Sequence, residues 1–178
     1  MRYSAEDVPM ILSSEPGVWA YSESGNGTGY SYVTIRGFDQ SRIAVFFDGV
    51  PLNDNESHQV YWVDHGDLLS DVDNIQIQRG IGNNLYGSSA FGGSINVNTK
   101  IASDEREISG TIGSGDWNTQ KIRASYRSGS DLGDDLSLAV RLSDIKSDGY
   151  RQFHDSYQRG FSLGLEHRGK AINQFRAL

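Results

Sequence analysis

The chain has 178 residues, 37% hydrophobic and 22% charged, with 21 glycines, 3 prolines and no cysteine. The lack of cysteine excludes disulfides, thiolate metal sites and cysteine catalysis, and no apolar run of about 18 residues predicts a transmembrane helix. The net charge of −7 lies in residues 1–100, which hold 5 lysines and arginines against 12 aspartates and glutamates. This acidic first half disfavours a nucleic-acid partner, because phosphate contacts need a basic surface.

A short helix and a polar loop are the first predicted elements. Residues 6–18 begin with an acidic pair, place Pro9 in the first turn and end at Pro16-Gly17, which are helix start and stop signals. The glycine- and serine-rich stretch Tyr21–Tyr32 follows. Its low hydrophobicity predicts a flexible loop.

Two strands and a tight turn are predicted next. Residues 33–37 (VTIRG) and 42–47 (RIAVFF) have the composition of short strands. Asp48-Gly49 is a strong turn pair. Pro51 follows directly and favours an edge position, because proline donates no hydrogen bond to a neighbouring strand.

The segment from Asn53 to His65 concentrates acidic and histidine residues and therefore suggests a metal site. The spacings Glu56-x-His58 and His58-x6-His65 match no helical zinc pair, and exposed polar loops often have this composition. We therefore expect no metal site and no cofactor. Residues 67–75 have helical spacing of their apolar positions, with Asp67 as the cap, and predict a short helix.

The stretch from Ile75 to Lys100 predicts two amphipathic strands around a glycine-rich crossing. Residues 82–89 have the spacing of a phosphate-binding Walker loop, but Ser88 stands where its lysine belongs. A dinucleotide fingerprint also fails, because Leu85 replaces the third glycine. Neither motif therefore supports nucleotide binding.

From Glu107 the pattern changes to long alternating strands of about 9 to 12 residues, the length that crosses a bilayer at a tilt. Four such strands are indicated, and each has one apolar and one polar or charged face. The alternating positions of the third strand, Leu136 to Leu142 and Ser137 to Ser143, are an example. A soluble sandwich shows the same alternation, but its strands are usually nearer 5 to 6 residues, so the length favours membrane-crossing strands.

Three ordered motifs resemble the plug domain of TonB-dependent outer-membrane receptors. They are VTIRGF at residues 33–38, VFFDGVPLN at residues 45–53 and IQIQRGIGNNLYGSSAFGGSINVNTK at residues 75–100. Each motif alone is weak, but their order is an independent constraint. The resemblance implies an α+β plug domain in residues 1–100. Residues 101–178 would then be antiparallel transmembrane β-strands, about four, that start a truncated 22-stranded outer-membrane β-barrel.

The resemblance also implies roles for individual residues. Arg36 and Arg79 stand where the family places plug arginines that pair with glutamates of the barrel wall. The glycines of the plug motifs are Gly37, Gly49, Gly80, Gly87, Gly92 and Gly93. The candidate substrate contacts are Asn53, Asp54, Glu56, Tyr61, Trp62, Tyr150 and Arg151. No catalytic residue is implied.

The function implied by the resemblance is import rather than catalysis. A receptor of this kind lies in the outer membrane of a Gram-negative cell, with the plug inside the barrel. It takes up a scarce, bulky solute, such as an iron-siderophore, a glycan or a cobalamin. The energy comes from periplasmic TonB, and the other partners are outer-membrane lipid and the solute. The sequence leaves open which solute is carried.

The chain departs from the family in what it contains. Four strands cannot close a barrel, since even small outer-membrane barrels need about 8. We also find neither a secretory signal nor the short box that binds TonB. These features predict that the chain is part of a longer protein.

Two other readings of the residues use the same segments. A soluble β-rich carbohydrate-binding or adhesive domain would stack sugars on Tyr61, Trp62 and Trp117, but it does not explain the three ordered motifs. A hydrolase would use paired carboxylates. Its candidate residues are Asp48, Asp54, Glu56 and Asp64.

Overall fold

The computed structural model describes residues 7–80, 90–99, 105–132, 136–168 and 172–177. The chain divides into two units, Met1–Thr99 and Lys100–Leu178. Within the described ranges, no helix is both long and apolar enough to cross a membrane.

The described part of the first unit contains one short helix and six strands. They are α1 (Val8–Leu12), β1 (Val18–Ser22), β2 (Ser31–Ile35), β3 (Ile43–Phe47), β4 (Val50–Pro51), β5 (Val72–Arg79) and β6 (Gly93–Thr99). Pro9 lies in the first turn of α1, as its sequence predicts, because a missing N–H costs nothing there. The same described residues also form three 3₁₀ turns, at Gln40–Arg42, Trp62–His65 and Leu68–Asp71.

These strands form two sheets. Strands β1 and β2 pair as an antiparallel hairpin, and the second sheet has the order β4-β3-β6-β5. Strand β3 runs parallel to β6, whereas β5 and β6 are antiparallel. Pro51 lies on the edge strand β4, as predicted. The antiparallel pairing of β5 with β6 confirms the two strands predicted within residues 75–100.

Trp62 lies in the core of the first unit, with only 2% of its surface exposed. The other buried members come from the helix and from the inward positions of the strands. They include Val8, Leu12, Val33, Ile35, Ile43, Val45, Val60, Leu68, Ile95 and Val97. This core fixes the backbone of the turns that carry the plug motifs.

Two sequence predictions in this unit are wrong. The predicted helix over residues 67–75 is a single 3₁₀ turn at Leu68–Asp71, after which the chain extends into β5. The stretch from Tyr21 to Tyr32 is a hairpin end rather than a loose loop. Ser24 and Thr28 are buried there, and the Ser24 hydroxyl donates to the Thr28 carbonyl at 2.5 Å. Serine and glycine spacing signals a turn but does not reveal this internal hydrogen bonding.

The second unit is a five-stranded antiparallel sheet in the order β11-β10-β9-β8-β7. Its strands are β7 (Glu107–Gly115), β8 (Thr119–Arg127), β9 (Leu136–Ser147), β10 (Ser156–Arg168) and β11 (Ile172–Ala177). The first four confirm the predicted alternating strands. The alternation does not predict the fifth.

The apolar face of this sheet is the exposed one. Ile112 is paired with Ile122, and Ile112 is 86% exposed. Leu142 is paired with Phe161 on the same face, and both are exposed. On the opposite face, Lys121 and Arg141 are buried. This is the arrangement of strands whose outer face meets lipid.

Candidate functional site

Arg36 occupies the centre of a tight turn in the first unit. Ile35 and Phe38 exchange two backbone hydrogen bonds, each 3.0 Å long, around Arg36 and Gly37. Both central residues have positive φ, +52° for Arg36 and +84° for Gly37, which is the geometry of a type I′ turn. An arginine in this region of backbone conformation costs about 1 kcal/mol.

Arg36 and Arg79 converge beside the turn at Pro16-Gly17. The Arg36 backbone N–H donates to the Gly17 carbonyl at 2.7 Å. The Arg79 Nη1 donates to the Pro16 carbonyl, also at 2.7 Å. A Cβ atom added to Gly80 would lie 3.4 Å from Nη1 of Arg36, so both guanidinium groups lie near this turn.

Neither arginine has an anionic partner within the part of the chain that the structure describes. Both side chains are exposed. Two cations held side by side repel each other, and a shared carboxylate partner relieves that repulsion. This place on the first unit is therefore suited to receive carboxylate groups.

Glycine is favoured at the plug-motif positions for two different structural reasons. Gly37, Gly49 and Gly80 have positive φ, and an added Cβ would meet no atom nearer than 3.4 Å, so the backbone angle alone favours glycine there. At Gly93 an added Cβ would lie 2.2 Å from the Gln78 carbonyl oxygen, and at Gly92 it would lie 2.7 Å from Cβ of Phe38. Close packing around the start of β6 therefore explains why Gly92 and Gly93 have no side chain. Gly87 falls outside the described residues.

Asn53 ties the segment after β4 to the sheet. Its Oδ1 accepts from the Val45 N–H at 2.7 Å, and its Nδ2 donates to the carbonyls of Ile43 and His58, both at 2.9 Å. These bonds use both ends of the amide. Asn53 therefore has a structural role here, and its predicted role as a solute contact stays untested.

Asp54 organises the tip of the same loop. Its Oδ1 accepts from the backbone N–H of Glu56 at 3.1 Å and from the N–H and hydroxyl of Ser57 at 2.7 and 2.8 Å. These hydrogen bonds, with Ser57 first, lower the pKa of the Asp54 carboxyl. The Glu56 side chain is exposed beside it. The loop thus presents one carboxylate to solvent and uses the other to hold its own backbone.

The two aromatic candidates of this segment behave differently. Tyr61 is exposed, and its hydroxyl donates to Ser57 at 3.4 Å. Trp62 is buried in the core, so the prediction that its ring stacks on a solute is wrong. Its neighbour His65 is half-buried, and burial lowers the pKa of its imidazole, opposed by the Asp64 carboxylate.

A shallow pocket of about 160 Å³ lies beside this loop, between β3 and the loop residues. It is lined in part by Phe46, Asn53, Asp54 and His58. Typical small-molecule pockets begin at about 300 Å³. In the first unit alone, this pocket is too small for a bulky solute. Within the described ranges, no three histidine, aspartate or glutamate side chains converge as a metal site.

Tyr150 and Arg151 belong to the second unit, in the connection between β9 and β10. Both are exposed, and the ring of Tyr150 meets Trp117 edge-on at 5.4 Å between centroids. Asp148 N–H donates to the Trp117 carbonyl at 2.9 Å, which joins the two loops at this end of the sheet. These loops therefore present a small aromatic cluster.

Sequence reasoning missed one set of residues on the hairpin. Trp19, Tyr21 and Tyr32 lie on its outward side, opposite the buried Val18, Val33 and Ile35. The signal was the alternation of apolar and aromatic residues in VWAYS and YSYVTI. This alternation was overlooked because the composition of residues 21–32 predicts a loop.

The sequence profile of the TonB-dependent receptor plug domain matches residues 2–94. The vitamin B12 transporter of Vibrio vulnificus is 32% identical over 142 residues, which cover 79% of this chain and 22% of that protein. The ferric enterobactin receptor PirA of Pseudomonas aeruginosa is 28% identical over 149 residues, which cover 78% of this chain and 20% of that protein. The chain thus spans about a fifth of the length of these relatives, which are named as a transporter and a receptor.

Solved structures agree with this fold. The pyoverdine outer membrane receptor FpvA of Pseudomonas aeruginosa superposes with a TM-score of 0.74 at 15% identity, over 97% of this chain and 24% of that one. The ferric-catecholate import receptor Fiu of Escherichia coli gives 0.74 at 22% identity, over 98% of this chain and 23% of that one. The chain belongs to the plug-domain family of TonB-dependent receptors.

Proposed function

We propose that this chain forms the plug and the first barrel strands of a TonB-energised importer in the outer membrane. The solute is scarce and bulky, of the iron-siderophore or cobalamin class that the names of the relatives mention. The observation that carries the proposal is the convergence of Arg36 and Arg79 on a domain of the plug family. A domain that only bound sugars would not need two neighbouring arginines that form no ion pair within the described residues.

In this proposal the two arginines fasten the plug to its barrel. Glutamates of the barrel wall accept hydrogen bonds from both guanidinium groups, whose planar donors suit carboxylates. Once these groups leave water, breaking one pair costs several kcal/mol, because a charge stays buried and uncompensated. The fastening therefore keeps the plug closed until TonB supplies work.

The exposed apolar face of the second unit supports a position in lipid. A face that includes Ile108, Ile112 and Phe161 gains free energy when lipid replaces water around it. The candidate solute contacts that remain exposed are Glu56 and Tyr61 in the first unit, and Tyr150 and Arg151 in the second. The carbohydrate-binding alternative loses one of its three stacking residues, because Trp62 is buried.

The test is uptake by cells from which the gene for this chain has been deleted. Labelled cobalamin and labelled ferric siderophores are supplied with and without a protonophore that collapses the proton gradient. We expect the deletion to abolish protonophore-sensitive uptake of one of these solutes, and the wild-type gene to restore it. Unchanged uptake of every solute would contradict the proposal.

Variants sharpen this test. Arg36→Ala and Arg79→Ala are expected to let the plug move without TonB, so that the membrane becomes permeable to small antibiotics. Arg42→Ala is the matched control, because Arg42 is an exposed arginine of the same unit and lies outside the three plug motifs. Equal permeability in all three variants would show that the two motif arginines do not fasten the plug.

A further inference from the structure

The outward side of the β1–β2 hairpin carries three aromatic rings close together, Trp19, Tyr21 and Tyr32, which we call the aromatic face. Tyr21 and Tyr32 are directly paired across the strands, and their rings are stacked at 4.9 Å with an angle of 20°. Trp19 lies 5.1 Å from Tyr21 at 39°. Trp19 is 60% exposed and Tyr21 is 43% exposed, so no other described part of this chain covers these two rings.

A carboxylate stands at the end of this aromatic face. The Tyr32 hydroxyl donates to Oε1 of Glu23 at 2.9 Å. This hydrogen bond, followed by burial, raises the pKa of Tyr32 to about 12, which keeps the phenol protonated and donating. No lysine, arginine or histidine among the described residues forms an ion pair with Glu23. Among the described residues, the Glu23 carboxylate therefore has acceptor capacity left and forms no ion pair.

The second unit contains the same phenol–carboxylate pair with a cation in place. The Tyr157 hydroxyl donates to Oδ2 of Asp144 at 3.0 Å, and Nε of Arg159 donates to the same oxygen at 3.1 Å. The Cζ atom of Arg159 lies 4.8 Å from the centre of the Tyr157 ring. The Arg159 guanidinium thus contacts the Tyr157 ring and the Asp144 carboxylate together. The Tyr32–Glu23 pair has the same phenol and carboxylate, without a guanidinium among the described residues.

We propose that the aromatic face and Glu23 bind a guanidinium group presented by a basic polypeptide segment. An arginine laid against the rings gains a cation–π contact and a charge-assisted hydrogen bond to Glu23. The charge of the surroundings favours this occupant, because residues 1–100 carry a net charge of −7. The inference does not depend on transport, since it uses only contacts within the first unit.

An oligosaccharide is the competing occupant for exposed aromatic rings. Exposed aromatic rings also stack on sugars, so the rings alone do not select the occupant. The Glu23 carboxylate beside the rings adds a full charge that a neutral sugar does not neutralise. This charge favours a cation over a glycan.

The test uses the full chain with Trp117→Phe, so that Trp19 is the exposed tryptophan and Trp62 the buried one. Trp19 emission is titrated with an acetylated, amidated tri-arginine peptide. The tri-citrulline peptide is the matched ligand, since it has the same shape without the charge, and maltotriose represents glycans. We expect a saturable change with tri-arginine alone, weakened by added salt.

Variants locate the site on the hairpin. Glu23→Gln is expected to raise the dissociation constant about fivefold, the effect of losing one partly exposed charge pair. Glu15→Gln removes an exposed carboxylate elsewhere on the same unit and should leave binding unchanged. The proposal is overturned if citrulline binds equally well, if Glu23→Gln has no effect, or if maltotriose alone gives a saturable change.

Discussion

The first unit buries its aliphatic side chains around Trp62, whereas the second exposes Ile108, Ile112 and Phe161 on one open face. The first unit therefore has an internal hydrophobic core that holds its turns in place. The second is a single sheet in which Ile145 is buried, whereas the apolar residues of the opposite face are exposed. The same kinds of side chain thus stabilise one unit from within and suit the other to lipid.

This difference explains where precise geometry is found. The turn at Arg36 and the start of β6 at Gly93 are held by backbone hydrogen bonds next to a packed core. Small changes in side-chain volume there therefore lower the stability of the unit strongly. Substitutions on the exposed face of the second unit remove no buried contact. Four predictions test this contrast, from the largest expected effect on stability to the smallest.

Trp62→Ala is expected to destabilise the first unit by about 3–5 kcal/mol, because it leaves a large cavity in the core. Hydrogen exchange of the β3 and β6 amides, measured on the full chain, reports this unit separately. Trp117→Ala is the control, since Trp117 is 45% exposed, and should cost less than about 1 kcal/mol. Equal exchange rates in the two variants would contradict the assignment of Trp62 to the core.

Gly93→Ala is expected to cost about 2–3 kcal/mol, because the new Cβ would meet the Gln78 carbonyl oxygen at 2.2 Å and the backbone angle is unsuited to alanine. Gly49→Ala shares only the unfavourable positive φ, because no atom lies within 4 Å of the new Cβ. It should cost about 1 kcal/mol. Urea unfolding of both variants compares the two costs, and a larger effect at Gly49 would refute the steric explanation.

Acidification should weaken the first unit through His65. Because burial lowers the folded-state pKa below the unfolded value of 6.5, protons bind the unfolded chain more readily. The contribution is therefore complete above pH 6.5 and is lost as the pH falls through the folded-state pKa. We expect less than about 1 kcal/mol, because solvent screens a half-buried ring.

The measurement compares urea unfolding midpoints of the wild type and His65→Gln. At pH 8 both side chains are neutral, which gives the reference difference between the two chains. Between pH 7 and pH 5 the wild type should lose stability relative to His65→Gln, because only the histidine takes up a proton. A difference that stays constant over this range would assign the pH dependence to other groups.

Ile112→Asn should change the free energy of unfolding by less than about 0.5 kcal/mol, because 86% of the side chain is already exposed. It should nevertheless weaken flotation of the chain with lipid vesicles, since an apolar contact with lipid is lost. Ser114→Asn keeps a polar residue at the end of the same face and should float like the wild type. Strong destabilisation by Ile112→Asn would mean that protein covers this face.

Local pattern determined much of this architecture. Alternation over residues 107–168 was sufficient to predict four strands of the second unit, because side chains of a strand point to alternate faces. Asp48-Gly49 predicted its turn, and Pro51 predicted an edge strand, through backbone chemistry alone. The ordered motifs predicted the plug family that the profile over residues 2–94 confirms.

Contacts between distant residues decided the rest. Arg79 reaches the Pro16 carbonyl 63 positions away, and no local pattern in the sequence specifies that distance. Trp62 looked like a surface aromatic in a polar segment, but the sheet and helix close over it. The pairing of Tyr21 with Tyr32 was hidden in a stretch whose composition predicts a loop. Composition and periodicity report which local structure a segment prefers, whereas only packing of the whole unit decides which side chains it buries and which it brings together.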